Sequence, residues 1–191
     1  MKTWTDSNQH LWLRDSLPGH IPNARIMTYG YDSSVFFPKS QMSVQDFVRD
    51  LFERLGHLRQ RDPHETTRPL IFICHSLGGV VFKSLLVHLS ANKNNPSAKA
   101  MADSISGVVF LGTPHRGSRL ASPASILARI VNVATVGFGV RSSFLKLLQV
   151  SSSELESISL NATYLLADLD VISFYEQKAL GPSLVSLAHL T

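Results

Sequence analysis

The sequence predicts an α/β fold, a parallel sheet with flanking helices, and three observations carry that expectation. Short apolar, β-branched runs recur along the 191 residues. Helical patterns separate them, as in βαβ units. At the sharpest junction, Ile71-Phe72-Ile73-Cys74-His75-Ser76-Leu77-Gly78-Gly79, an apolar run passes into a helical pattern with a serine at the bend.

Taken in order, Asn8 to Leu17 carries Leu11, Trp12, Leu13 and Leu17 among polar residues and reads as a short helix stopped by Pro18-Gly19. Ala24 to Tyr31 reads as a strand ending in the turn cluster Asp32-Ser33-Ser34. Ser43 caps a helix whose apolar residues, Val44, Phe47, Val48, Leu51, Phe52 and Leu55, recur every three or four positions, with Gly56 at its close. A strand is expected over 69–74, a helix over 77–90, a polar link over 92–98 and a second buried strand over 106–111. That strand runs into Gly112-Thr113-Pro114-His115-Arg116-Gly117-Ser118. Residues 119–168 mix apolar helical stretches with serine clusters and read as a helical lid; a last clear strand spans 171–175 and ends at Glu176. The whole is expected to form one domain over 1–191 with about five core strands, an incomplete version of its fold class.

Composition narrows the function classes. The net charge of +4 comes from scattered lysines and arginines with no basic stripe interleaved with aromatics, which argues against a nucleic-acid partner. The single cysteine, Cys74, excludes an intrachain disulfide and fits an intracellular, reducing compartment. The first residues contain no apolar stretch resembling a signal peptide. Ile126 to Val140, broken by Arg129 and Asn132, is shorter than the roughly 20 residues of a membrane-spanning helix. Peripheral membrane contact through that stretch is the alternative to an ordinary buried helix. No phosphate loop, dinucleotide turn or zinc spacing is present, so neither cofactor nor metal is expected.

The Cys74 to Gly79 junction supports a definite chemistry. A G-x-S-x-G nucleophile elbow places a serine on a strained strand-to-helix turn, with small residues two before and two after it because the two backbones pass close together. Here Gly78 fills the second small position and Cys74, itself small, the first. In this layout Ser76 is the nucleophile and the Leu77 N–H is an oxyanion donor; the alternative for Ser76 is a helix N-cap. Ligands of open α/β sheets bind beyond the carboxyl ends of the strands, where Asp32–Ser34, Gly112–Ser118 and Glu176 onward are expected. Glu176 is the best-placed acid, against the alternative of a solvated loop carboxylate, and Asp170 ranks behind it at the opposite end of its strand. The base is harder to place. His75 points away from its neighbour Ser76, His115 precedes the acid, and His189, the one histidine after Glu176, reads more readily as a terminal residue.

The segments 12–18, 24–31, 71–79, 108–118 and 173–176, in that order, resemble the fungal type of the lipase-like serine esterases related to the serine-active-site-containing protein family. The resemblance implies an α/β-hydrolase fold, a nucleophile at Ser76, and an acyl ester or lipid as substrate. It also implies an association with mitochondria or endoplasmic reticulum membranes. His75, His115 and Gly117 are the candidate substrate-binding residues. The family carries an H-G-x-G-G loop before its counterpart of Thr3-Trp4 and an Asp-His segment after its counterpart of Ser173-Phe174-Tyr175-Glu176. Against that pattern the sequence reads as truncated at both ends, lacking the second oxyanion donor and the base. Two further readings follow: a non-catalytic interaction module that keeps the fold, or a fragment of a larger protein. Uncovered sheet edges would favour oligomerisation in either case.

Overall fold

A computed structural model describes residues 4–31, 44–61, 63–113 and 157–174. The chain divides into two compact units, Met1–Ser33 and Ser34–Thr191.

The first unit is organised by two aspartates. The Asp6 carboxylate accepts from the backbone N–H groups of Asn8 (2.8 Å) and His10 (2.9 Å), closing a turn that lets Thr5 and Leu11 form an antiparallel bridge. Asp15 accepts from the Leu11 N–H and, through both oxygens, from the Arg14 guanidinium at 2.6 and 2.9 Å. The Arg14 hydrogen bond brings the Asp15 carboxyl down to about 2. In place of one helix stopped at Pro18-Gly19 there are two single turns, α1 (Trp12–Asp15) and α2 (Leu17–His20). Pro18 falls in the first turn of α2, where its missing N–H has no helical acceptor to lose.

Residues 24–31, expected as a strand, carry no strand assignment. Most of them are exposed, and Met27 keeps 37% of its surface. The alternation therefore gains nothing from a buried face, which is what strand propensity measures.

The second unit holds a three-stranded parallel sheet in the order β1 (Leu70–His75), β2 (Ile105–Leu111), β3 (Asp170–Phe174). This is the expected α/β fold, but with three strands among the described residues where the sequence reading has about five. Of the other two, 24–31 carries no strand assignment, and the run after Ser183 lies outside the described residues. The β1–β2 register shifts at its start: Leu70 stands opposite Ile105 and Ile71 opposite Gly107, leaving Ser106 as the extra residue. Its hydroxyl donates to the Leu70 carbonyl at 3.2 Å, occupying an acceptor beside the break in the ladder.

One sheet face is packed. Phe72, Cys74, Val108 and Phe110 face α5 (Gly78–Ala91), whose Phe82 lies 4.7 Å from the Phe72 ring and 6.0 Å from the Phe110 ring. Nine of the fourteen α5 residues are buried, as befits a helix enclosed on several sides rather than a surface one. Burying a side chain such as Phe82 is worth about 1.5–3 kcal/mol.

Helix α3 (Val44–Gln60) lies along α5 and buries Val44, Phe47, Val48, Leu51 and Leu55 of the expected stripe, with Phe52 half-buried at its margin. It runs through Gly56 rather than stopping there, because Arg59 one turn later is anchored: its guanidinium donates to the carbonyls of Thr66 (2.8 Å) and Arg68 (2.9 Å). These bonds fix the short turn α4 (Pro63–Thr66) just ahead of β1. Helix α6 (Pro96–Ser104), which starts within the expected polar link over 92–98 and runs on to β2, is capped by Asn95, which accepts from the Ser97 and Ala98 N–H groups.

Residues 157–166 form α7, which buries Ile158 and Ala162 and lines a shallow cavity with α5 through Asn161 and Leu165. Helices α5 and α7, one from each of the two connections, thus lie beside each other. The opposite face presents Ile71 (69% exposed), Ile73, Ile172 and Phe174 (57%). The rest of the expected lid, 119–156, lies outside the described residues.

Lys83 is buried within this layer, its ammonium 5.6 Å from the Phe110 ring centre. Desolvation pushes its pKa from 10.5 down to about 8. Between those two values the folded chain binds fewer protons at this site than the unfolded chain, so the lysine's contribution to stability rises with pH across that window. In chemical unfolding series at pH 7 and pH 10.5, the wild type is expected to gain on the order of 1–3 kcal/mol relative to Lys83→Met as pH increases; a constant difference would contradict the depressed pKa.

Candidate active site

Strand alternation decides what surrounds the bend. Cys74 and Phe72 face α5, while His75 shares the opposite face with Ile71 and Ile73. The chain must then turn from β1 into α5 between His75 and Gly78. It does so by placing Ser76 at φ +51°, in the left-handed region that a residue with a β-carbon enters at a cost of about 1–2 kcal/mol. Such a conformation persists only where its surroundings hold it.

The surroundings are specific. The Ser76 N–H donates to the Leu111 carbonyl at 2.9 Å, extending the β1–β2 ladder by one bond into the turn. Its carbonyl accepts from the Gly79 N–H at 3.2 Å and from the Thr113 hydroxyl at 3.2 Å, so both lone pairs are used. Leu77 follows in helical conformation and is buried, and its carbonyl accepts from Val80 and Val81. On the β2 side, Gly112 is itself left-handed at φ +58° and donates to the Phe174 carbonyl at 2.9 Å, tying the ends of β2 and β3 together.

The loop after β2 and the helix approach closely at Gly79. A β-carbon there would lie 2.8 Å from the Thr113 β-carbon and closer still to both of its branches. Thr113 is buried and β-branched, with little room to yield. The elbow spacing predicts its second small residue at Gly78; the structure adds a tight approach at Gly79, against Thr113, which the spacing does not single out. The G-x-S-x-G spacing counts from the serine and is silent about which loop lies over the helix start.

Electrostatically, the junction favours anions. Fourteen residues of helix direct their N-terminal N–H groups and positive dipole end toward the bend. Desolvation lowers the His75 pKa from its ordinary value, favouring the neutral imidazole. Burial pushes the Cys74 thiol up to about 12.

The structure brings His75, Ser76, Leu77, Gly79 and Thr113 to one corner, at the carboxyl end of β1 and β2. Asp170 opens β3, paired with Gly107 at the opposite end of the sheet from Ser76. Glu176, His115, Gly117 and His189 lie outside the described residues. No group of three His, Cys, Asp or Glu side chains among the described residues is placed to hold a metal ion.

Two measurements probe this geometry. Gly79→Ala is expected to destabilise the chain by about 1–3 kcal/mol through overpacking against Thr113, despite alanine's better helix propensity; a rise in thermal midpoint would contradict the contact. Cys74, deeply buried with its thiol neutral at pH 8, is expected to resist iodoacetamide in the native chain and to react at an ordinary rate in urea. Rapid native alkylation would place the thiol at the surface.

Among known proteins, no family model and no solved structure matches the chain. The chain is similar to Protein SERAC1 of Mus musculus, 30% identical over 115 residues that cover 58% of this chain and 16% of that protein. It matches Protein SERAC1 of Danio rerio at 30% over 112 residues, 58% and 17% of the two chains. With Protein SERAC1 of Homo sapiens the identity is 29% over 115 residues, 58% and 16% of the two chains. The chain thus spans about a sixth of the length of the curated relatives it matches.

Proposed function

We propose that this chain carries the nucleophile of a serine hydrolase of esterase or lipase type, acting on acyl esters or lipids. The observation that supports it is the left-handed Ser76, a non-glycine residue held in a strained conformation at a strand-to-helix junction. A helix N-cap is ordinarily extended, in the β region, so φ +51° argues against a simple capping role. Strain at such a position is a pointer to chemistry.

In the mechanism this reading implies, the Ser76 Oγ attacks the ester carbonyl carbon and its proton passes to a general base. The carbonyl π electrons move to oxygen, where the Leu77 N–H and the dipole of α5 stabilise the negative charge. Collapse of the tetrahedral intermediate returns those electrons, expels the alcohol with the proton held by the base, and leaves an acyl-serine. Water then repeats the sequence and releases the acid. Glu176 orients the base in this scheme. This scheme does not use His75 as the base: it closes β1 on the face opposite Phe72 and Cys74, and a residue adjacent to the nucleophile is poorly placed to reach round to it. His75, His115 and Gly117 are the proposed substrate-binding residues of this scheme.

The resemblance to a lipase-like family and the similarity to Protein SERAC1 both favour this reading over a phosphate or nucleotide ligand. No helix among the described residues is long and apolar enough to cross a membrane. The proposal therefore has the substrate met by peripheral contact at a mitochondrial or endoplasmic reticulum membrane.

A fluorophosphonate probe is expected to label the native chain at Ser76, with labelling and p-nitrophenyl butyrate hydrolysis both lost in Ser76→Ala. Absence of both in the folded wild type would leave a non-catalytic module of the same fold as the better reading.

A further inference from the structure

Ser76 is held in its left-handed conformation from three sides, and the third of them has no counterpart in the nucleophile motif. The first is the ladder bond to Leu111, and the second is the helical bond from Gly79; both follow from the strand and the helix themselves. The third is the hydroxyl of Thr113, two residues beyond the end of β2, which donates to the Ser76 carbonyl at 3.2 Å. Thr113 is 6% exposed, so this bond is sheltered from competing water. Its side chain is also clamped sterically, since it fills the space where a β-carbon on Gly79 would stand.

The position of Thr113 is fixed independently of Ser76. Gly112 precedes it in left-handed conformation and is tied through its N–H to the Phe174 carbonyl, anchoring the start of this loop to β3. One side chain therefore joins the turn to the first turn of α5, from a loop whose start is tied to β3 through the Gly112 backbone. On the reading of Ser76 as nucleophile, on which this step rests, we infer that Thr113 is a positioning residue: its hydroxyl orients the Ser76 peptide and so the direction of Oγ and of the adjacent Leu77 N–H. A serine at 113 would keep that bond, and a valine would keep the shape and lose it.

The experiment compares the full chain as wild type, Thr113→Val and Thr113→Ser by two readouts. The first is the second-order rate of fluorophosphonate labelling. The second is backbone amide exchange at Ser76 and Gly79, the two N–H groups that close the turn. Thr113→Val is expected to label about 10- to 100-fold more slowly, the scale on which small misplacements of reacting groups act. Its Ser76 and Gly79 amides are expected to exchange about tenfold faster through local opening. Thr113→Ser should stay within about threefold of wild type in labelling, because the hydroxyl rather than the methyl orients the peptide.

Equal labelling and protection in wild type and Thr113→Val would overturn the inference, and so would equal losses in the Ser and Val variants, which would assign the effect to packing. Wild-type chain that never labels would refute the nucleophile reading alone, and the exchange arm would still decide whether Thr113 holds the turn. If Thr113→Val does not fold, Thr113→Ser against Thr113→Ala makes the same comparison.

Discussion

The architecture of this chain answers one steric demand, that a parallel strand turn into a helix within a residue or two while leaving a serine at the bend. A right-handed backbone cannot make that reversal in so short a span, so Ser76 takes a positive φ and the cost must be met by its neighbours. The strand ladder supplies one bond through Leu111, the helix supplies another through Gly79, and the loop after β2 supplies the third through Thr113. Remove the pairing of β1 with β2 and two of those three supports go with it. The sheet is in this sense the frame of the site rather than only its neighbour.

The layer beneath serves the same end. Phe82 sits between Phe72 and Phe110, so the helix that begins at the turn is pinned to both strands that define it. Arg59 fixes the carbonyls of Thr66 and Arg68, setting where β1 begins, and the ion pair of Glu65 with Arg68 at 2.8 Å lies in the same short turn. Lys83 is the buried charge of α5. It packs its stem in the core and its charged end against an aromatic face, an arrangement that costs desolvation and recovers part of it as cation–π attraction.

Much of this was legible in the sequence because it rests on local periodicity. The stripe of α3 falls on its expected positions, and the strand–serine–helix junction and the parallel strands at 106–111 and 171–175 appear within a residue or two of their expected bounds. What the sequence did not show depends on partners distant in the chain. Residues 24–31 have strand-like composition, yet composition carries no information about whether a neighbour is present to pair with. Gly56 reads as a stop, but the tertiary anchor at Arg59 outweighs its helix-breaking tendency, worth only about 1 kcal/mol. Thr113 was invisible for a similar reason: it sits in a loop of ordinary turn formers, and its importance arises only when that loop folds back over Gly79. Of the proposed machinery, Ser76, Leu77 and His75 are placed, whereas Glu176, His115 and Gly117 fall outside the described residues.

The extra residue at Ser106 has a consequence for all of this that is one of phase. Had β2 paired with β1 without interruption from Leu70 and Ile105 onward, His75 would stand opposite Phe110 instead of Leu111. Every later side chain of β2 would then change faces, with Phe110 leaving the helix layer and Val109 entering it. The carbonyl offered to Ser76 would shift by one residue, and Thr113 would come past the turn on the wrong beat of the pleat. A serine about five strand positions away, roughly 16 Å along the sheet, thus sets the parity that lets the two strand ends meet correctly at the bend.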